Sequence, residues 1–436
     1  MNARIAIVLP HRLHARRLSV CKRVFAAGLA VAVLGVSSLA SPGAEAGAPP
    51  LALQGVLSRV AQVHPQMQRA RAEAEVSRQQ LETARWGRFP SVTVGASAGE
   101  GVNAAGSLRI QQPVYTFGRT DHAIDAAQAS LEATTSGIDA TRRTLLERAA
   151  IAHGRWLSGL QQVELALRHV ARQQELLEFI TRRADGGIAA RGDTRLAQGR
   201  LEQARARAAA LQANVNQARA ELESLMMQRI DAQPVPAALS PIAFANAEAL
   251  AQAFVEASPV LERLTGQQRA ASAEASLKGA DRLPMLVARF ERAPSLLTNH
   301  YDTRTLLAVD YQSGGGLSAQ SEYLARLGRV DALRAEIDAQ RRELELVATS
   351  LWVQRATLFE QQTAIEGLVA SSAETVESFL RQFDAGRRSW LDVLNAEREL
   401  FDARLARAQI DAGLLEVALR IQGGTGGLER LAAGQP

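Results

Sequence analysis

Residue types that carry enzyme chemistry occur throughout this 436-residue sequence, but not at the spacings that chemistry needs. The seven histidines (His11, His14, His64, His122, His153, His169 and His300) show no metal-ligand spacing of the H-E-x-x-H kind and read as structural. "SGGGLS" at 313–318 has the glycines of a phosphate loop without its lysine or its spacing. No Ser/His/Asp or paired-carboxylate arrangement is present. What remains are charges at two glycine-bearing turns, Asp193 in "DGGIAARGD" and Arg388 and Asp392 in "FDAGRRSWLDVLNA". Read locally, these are solvated charges, and Asp392 stands where an N-cap region favours aspartate. The pattern implies no catalysis, no metal and no cofactor.

The charge distribution narrows the partners. Six of the Lys/Arg residues lie in residues 1–46 against the single acid Glu45, so the rest of the chain carries equal numbers of basic and acidic groups. The basic balance therefore belongs to the N-terminus and does not point to nucleic acid. There, basic residues end at Arg23, an apolar run covers Val24–Ala40, and Ala44 and Ala46 form an A-x-A cleavage pattern. This predicts a secretory signal peptide over residues 1–46. The only cysteine, Cys21, falls within it, so the mature chain has no disulfide. No other run is long and apolar enough for a membrane helix, which leaves a soluble extracytoplasmic chain or one held by β-strands.

The sequence repeats itself. "VHPQMQRARAEAEVSRQQLETARWGRFPSV" from Val63 aligns with "ASPVLERLTGQQRAASAEASLKGADRLPML" from Ala257, and the turn at Gly187 and Asp193 aligns with that at Gly386 and Asp392. Each half predicts a helix (51–86; 246–281), two strands, a long helix (119–184; 317–383) and a return helix (193–229; 389–422). The first repeat spans 47–230, with its hairpin at about 88–115. The proline-rich 231–245 is a linker, the second repeat spans 246–422 with a hairpin at about 284–312, and 423–436 reads as a flexible tail. Val330, Leu333, Ile337, Gln340, Leu344, Val347 and Leu351 continue through Leu368 and Thr375 to Phe379 in alternating steps of three and four, a coiled-coil seam. Leu394, Phe401, Ala408 and Leu415 form its counterpart. A helix of ~66 residues is roughly 100 Å long at 1.5 Å per residue and must line up with others in a bundle or tube.

"QQPVYTFGRTD" (Gln111–Asp121) is the hand-over from strand to helix. Pro113 cannot donate to a ladder and belongs near a strand end. Gly118 permits a turn that other residues resist, and Gly316 takes the corresponding place in the second repeat. Four strands cannot close a barrel alone; three chains would supply twelve, an even number that a closed barrel can use, so closure in lipid requires oligomerisation.

At this point the mature sequence resembles the TolC-like outer-membrane channel-tunnel family. The carriers are the signal peptide, the duplicated element order, "HP" in the first helix, "QPVYTFGR", and the Gly-x5-Asp turns. The resemblance implies a mainly α chain whose homotrimer forms a twelve-stranded β-barrel in the outer membrane of a Gram-negative bacterium, with an α-helical periplasmic tunnel below. It implies a periplasmic adaptor and an inner-membrane transporter, expected to be of the ABC type, as partners. "VDYQSGGGLSA" (Val309–Ala319) resembles the type I secretion branch, with drug or metal efflux as the alternative. Carried over residue by residue, Asp392 falls at an acidic ring of the periplasmic constriction, and Asn395 falls where some members have a second aspartate. Arg388 matches a basic residue that holds the entrance shut, with Asp193 as its expected partner. Phe383 stands where some members have a gating tyrosine and lacks the hydroxyl. A soluble periplasmic adaptor is the competing reading; it would place strand-rich domains between two helices instead of two separated hairpins.

Overall fold

The computed structural model describes residues 50–436 except 100–101, 237–238, 240–242, 295–299, 312–315, 317 and 435–436. The expected signal peptide lies outside the described residues. The first repeat runs α1 (Leu53–Val63), α2 (Pro65–Trp86), β1 (Ser91–Gly99), β2 (Val102–Tyr115), α3 (Arg119–Asp185) and α4 (Arg191–Met226). The second runs α5 (Ala247–Glu256), α6 (Pro259–Ala280), β3 (Met285–Pro294), β4 (Tyr301–Asp310), α7 (Ser318–Asp384) and α8 (Trp390–Gly424), followed by α9 (Gly427–Ala432). Among the described residues, no helix is long and apolar enough to cross a membrane.

The first helix of each repeat, expected as one piece, is two. Proline disfavours the α conformation in the residue before it, so His64 and Ser258 are extended. Proline then suits the first helical position, where no N–H is needed. His64 Nδ1 accepts from the Gln66 backbone N–H at 3.2 Å, and Ser258 Oγ accepts from that of Leu261 at 3.4 Å. The His-Pro and Ser-Pro pairs are therefore helix starts, each preceded by a short amphipathic helix. Leu53, Val56, Leu57 and Val60 of α1 are buried in one cluster with Leu145, Leu146, Ala149 and Trp156 of α3.

The expected flexible tail is ordered through Gly434. The glycines at 423–427 make a tight reversal, with Gly426 at φ +77°, and α9 folds back. Leu428 enters the core shared by α1 and α3, and Glu429 pairs with Arg143 at 2.5 Å. Apolar burial and an ion pair together outweigh the backbone freedom that glycine provides.

The long helices α3 and α7 have 67 residues each. On α7 every second position of the expected line shifts by one residue after Leu344, while Leu351 and Ser372 stay buried as expected. Ala348 is buried where Val347 is exposed, and Val369 packs inward where Leu368 is exposed. A straight helix drifts ~20° per heptad from a strict seven-residue repeat, and one extra step of four restores contact. The displaced Val347 and Leu368 then join Leu346 and Val353 among the exposed apolar residues of this helix.

The strands form one antiparallel sheet in the order β1-β2-β3-β4, so the two repeats meet where β2 pairs with β3. Register divides its faces. Val92, Val94, Leu108, Ile110, Phe290, Leu307 and Val309 share one face, while Thr93, Ser107, Arg109, Gln111, Arg289, Glu291, Arg304 and Asp310 share the other. On the polar face Arg109 meets Glu291 at 2.8 Å and Arg289 meets Asp310 at 2.6 Å. Val94 is 77% exposed and Val309 67% on the apolar face. Among the described residues, the outer edges of β1 and β4 have no strand beside them.

Candidate functional site at the helical tips and the sheet

The chain reverses at two turns built alike. In the first, Gly187 (φ +74°) follows α3, and Ile188 N–H donates back to Arg183 O at 2.8 Å. In the second, Gly386 (φ +69°) follows α7, and Arg387 N–H donates to Gln382 O at 2.9 Å. A left-handed residue past the last turn lets the freed carbonyls find donors, and glycine takes that conformation without a Cβ clash.

α8 begins with a capping box. Ser389 Oγ accepts from the Asp392 N–H at 3.2 Å, and Asp392 Oδ2 accepts from the Ser389 N–H at 3.3 Å and its hydroxyl at 2.8 Å. These bonds from Ser389, with the Arg388 guanidinium 3.8 Å away, hold the Asp392 carboxyl below its usual range, so it is ionised at neutral pH. Its capping role is local and leaves the carboxylate half exposed.

Arg388 does not meet Asp193 within the chain. Its guanidinium lies over Phe379 at 4.2 Å, its Nε donates to Gln382 Oε1 at 3.2 Å, and its nearest carboxylate is Asp392. Asp193 sits in the first turn of α4, where its backbone N–H donates to Ala190 O. The two tips are joined elsewhere. Arg183, near the end of α3, lies over Phe383 at 5.1 Å and Phe179 at 5.6 Å, and its Nη1 reaches Asp384 at 3.2 Å. Phe383, expected at a gating position, packs on Trp390 at 5.0 Å, with Phe179 6.0 Å from the same indole. Asn395 accepts from Arg200 of α4 at 3.1 Å, a second link between the hairpins. Sequence reasoning missed Phe179, Arg183, Asp384 and Trp390. The available signal was the gathering of three scarce aromatics at two aligned turns.

At the opposite end, Gly118 is left-handed at φ +82°, and a Cβ there would stand 3.2 Å from His122 Nε2. Its predecessor Phe117 is also left-handed. Gly316 has φ +64° beside residues outside the description. Pro113 faces Val287 two residues before the end of β2, beside an irregularity of the β2–β3 ladder between Pro113 and Tyr115, near a strand end as expected. Around these hand-overs Trp86, Phe89, Tyr115, Phe117 and Tyr311 are exposed, and Tyr301 is exposed at the far end of β4 with Arg292 over its ring. Amphipathic aromatics at both ends of an apolar strand band suit the two boundaries of a bilayer. Among the described residues, no cluster of three or more metal-ligating side chains occurs.

Residues 56–226 match the family model described as outer membrane efflux protein. No curated protein matches the sequence. Among solved structures, the outer-membrane channel OprN superposes with a TM-score of 0.76 at 18% identity, covering 86% of this chain and 90% of that one. CusC gives 0.74 at 17% identity over 88% of this chain and 95% of that one. VceC, an outer membrane protein of Vibrio cholerae, gives 0.74 at 14% over 86% and 96%. The fold is thus that of these outer-membrane channels, as the sequence resemblance to TolC-like proteins implied.

Proposed function

We propose, from the premise that this chain has the fold of the TolC-like outer-membrane channels and matches the efflux family over residues 56–226, that it is the passive exit duct of a tripartite export system. One observation carries the reading. Among the described residues, a four-stranded sheet with an exposed apolar face and two unpaired edges continues into helices of 67 residues, each roughly 100 Å long. Lipid does not tolerate open sheet edges, so the sheet closes only with further copies, and three give twelve strands. The polar face, with Arg109, Arg289, Glu291 and Asp310, then lines water, and the apolar face meets lipid.

The tips are the duct's entrance, and a periplasmic adaptor and an inner-membrane transporter supply cargo and energy there. For cargo, the description of the matched family favours efflux over secretion, which supports the reading of a drug or metal duct. Type I protein secretion with an ABC transporter is the second reading. Of the stretch that suggested it, Val309–Ala319, residues 312–315 and 317 lie outside the described residues. Extraction of the mature protein from outer membranes as a detergent-dependent trimer that conducts ions in a planar bilayer is the expected result. A monodisperse monomer without detergent refutes the duct.

A further inference from the structure

A cavity of about 550 Å³ lies between α3, α4 and α8, roughly 20 Å from the tips at 1.5 Å per helical residue. His169 and Gln173 of α3 line it, with Arg200 and Arg207 of α4 and Arg398 and Asp402 of α8. Arg200 also bridges from α4 to Asn395 of α8 on the tip side.

Three features separate this cavity from a plain groove between helices. Gln173 is 2% exposed, and its Oε1 has no hydrogen-bond partner. Arg200 Nε is likewise buried without a partner. Among the described residues, Arg207 and Arg398 enter no ion pair; Arg182, Arg191 and Arg195 of the α3–α4 hairpin have none either, but Arg207 and Arg398 share their cavity wall with the unsatisfied buried atoms of Gln173 and Arg200. Buried polar atoms are rarely left unsatisfied, so the orphans call for a ligand. Three guanidinium groups against the single Asp402 set its charge, and planar guanidinium donors match carboxylate and phosphate oxygens.

We propose that this cavity binds a small organic or inorganic anion with carboxylate or phosphate oxygens. Arg207 and Arg398 hold those oxygens, and the terminal amide of Gln173 meets the ligand's remaining polar group. That amide donates or accepts according to its flip. His169, stacked on Phe401 at 4.2 Å, forms an adjoining wall. Since the arginines come from α4 and α8, one anion joins the two hairpins where Arg200 already meets Asn395.

The purified full-length protein in detergent is titrated with citrate and, separately, with inorganic phosphate, at ionic strength held constant with sodium chloride. Calorimetry and thermal unfolding report binding, so the result is independent of whether the chain conducts. Saturable binding of at least one probe is expected, with at least ten-fold loss in Arg207→Gln/Arg398→Gln. Gln173→Glu, which places a carboxylate in the cavity, is expected to abolish it. No saturable binding of either probe overturns the proposal, and so does equal binding by the double variant. If the double variant does not fold, single Arg398→Gln and Gln173→Glu decide it in the same way.

Discussion

Arg183 and Asp384 lie 3.2 Å apart, one near the end of α3 and the other at the end of α7, and they tie together two turns that follow one another by about 200 residues. The same guanidinium covers Phe383 and Phe179. Arg183 is thus an electrostatic and an aromatic link at once, whereas Arg388 is spent within its own turn.

Arg183→Gln should therefore loosen the tips. A partly exposed ion pair is worth about 0–1 kcal/mol, and a cation–π contact about 0.5–1 kcal/mol at such sites. In the proposed trimer the loss occurs three times. Planar-bilayer recordings should show higher conductance or a larger open fraction. Arg388→Ser should change either quantity less. A larger effect from Arg388→Ser would instead indicate a contact between chains with Asp193.

The register assigns the two faces of the hairpin. Val94 lies on the apolar face, and its neighbour Thr93 lies on the face shared with Arg109 and Glu291. A charge facing lipid costs about 2–4 kcal/mol near the midplane, while a lumen position tolerates it. Val94→Arg should sharply reduce trimer recovered from membranes, and Thr93→Arg should leave it near wild type. Equal yields from the two would mean that the faces are reversed or the strands are not in lipid.

Much of this architecture was legible because it rests on local chemistry. Gly187 and Gly386 stop helices through a backbone state that few residues adopt, and alternation around Val92 and Val94 declares a strand. The break at Pro65 was hidden by an apolar pattern that runs on across it. The drift on α7 depends on which helix it meets, which a heptad count does not know. Arg183 with Asp384, and Phe179 with Trp390, pair residues from different repeats, and nothing local in either stretch names its partner. The cavity arginines look like any solvated face until α8 is set beside α4.

Asp392 caps α8, and its proposed place at the constriction must be separated from that role. Three carboxylates in a narrow pore attract cations, and low-dielectric walls focus their field. The same carboxylate closes the capping box of α8. Asp392→Asn should lower cation preference, measured as reversal potential across a salt gradient. Ser389→Ala removes the cap at a cost of about 0.5–2 kcal/mol while keeping the charge, and should leave the reversal potential unchanged. An unchanged reversal potential in Asp392→Asn would remove Asp392 from the constriction.

The last prediction is a pH dependence centred on His169. Burial against Phe401 lowers its pKa from 6.5 to about 4, and Asp402 only partly counters that. Arg200, Arg207 and Arg398 stand on one side, and Arg168, Arg172, Glu397 and Arg404 on the other. The ordinary value exceeds the folded one, so between them the unfolded chain binds more protons, and stability falls as pH falls. The contribution is fully present above about 6.5 and lost progressively down to about 4. Burial lowers His153 in the same direction, so wild type loses stability for more than one reason as it is acidified. His169→Gln keeps a polar side chain of similar reach without the titration. Its stability to denaturant should fall less than that of wild type between pH 6.5 and 4, with little difference in slope above 7. Parallel curves across the whole range would show that His169 titrates normally and that its stacking on Phe401 does not withdraw it from water.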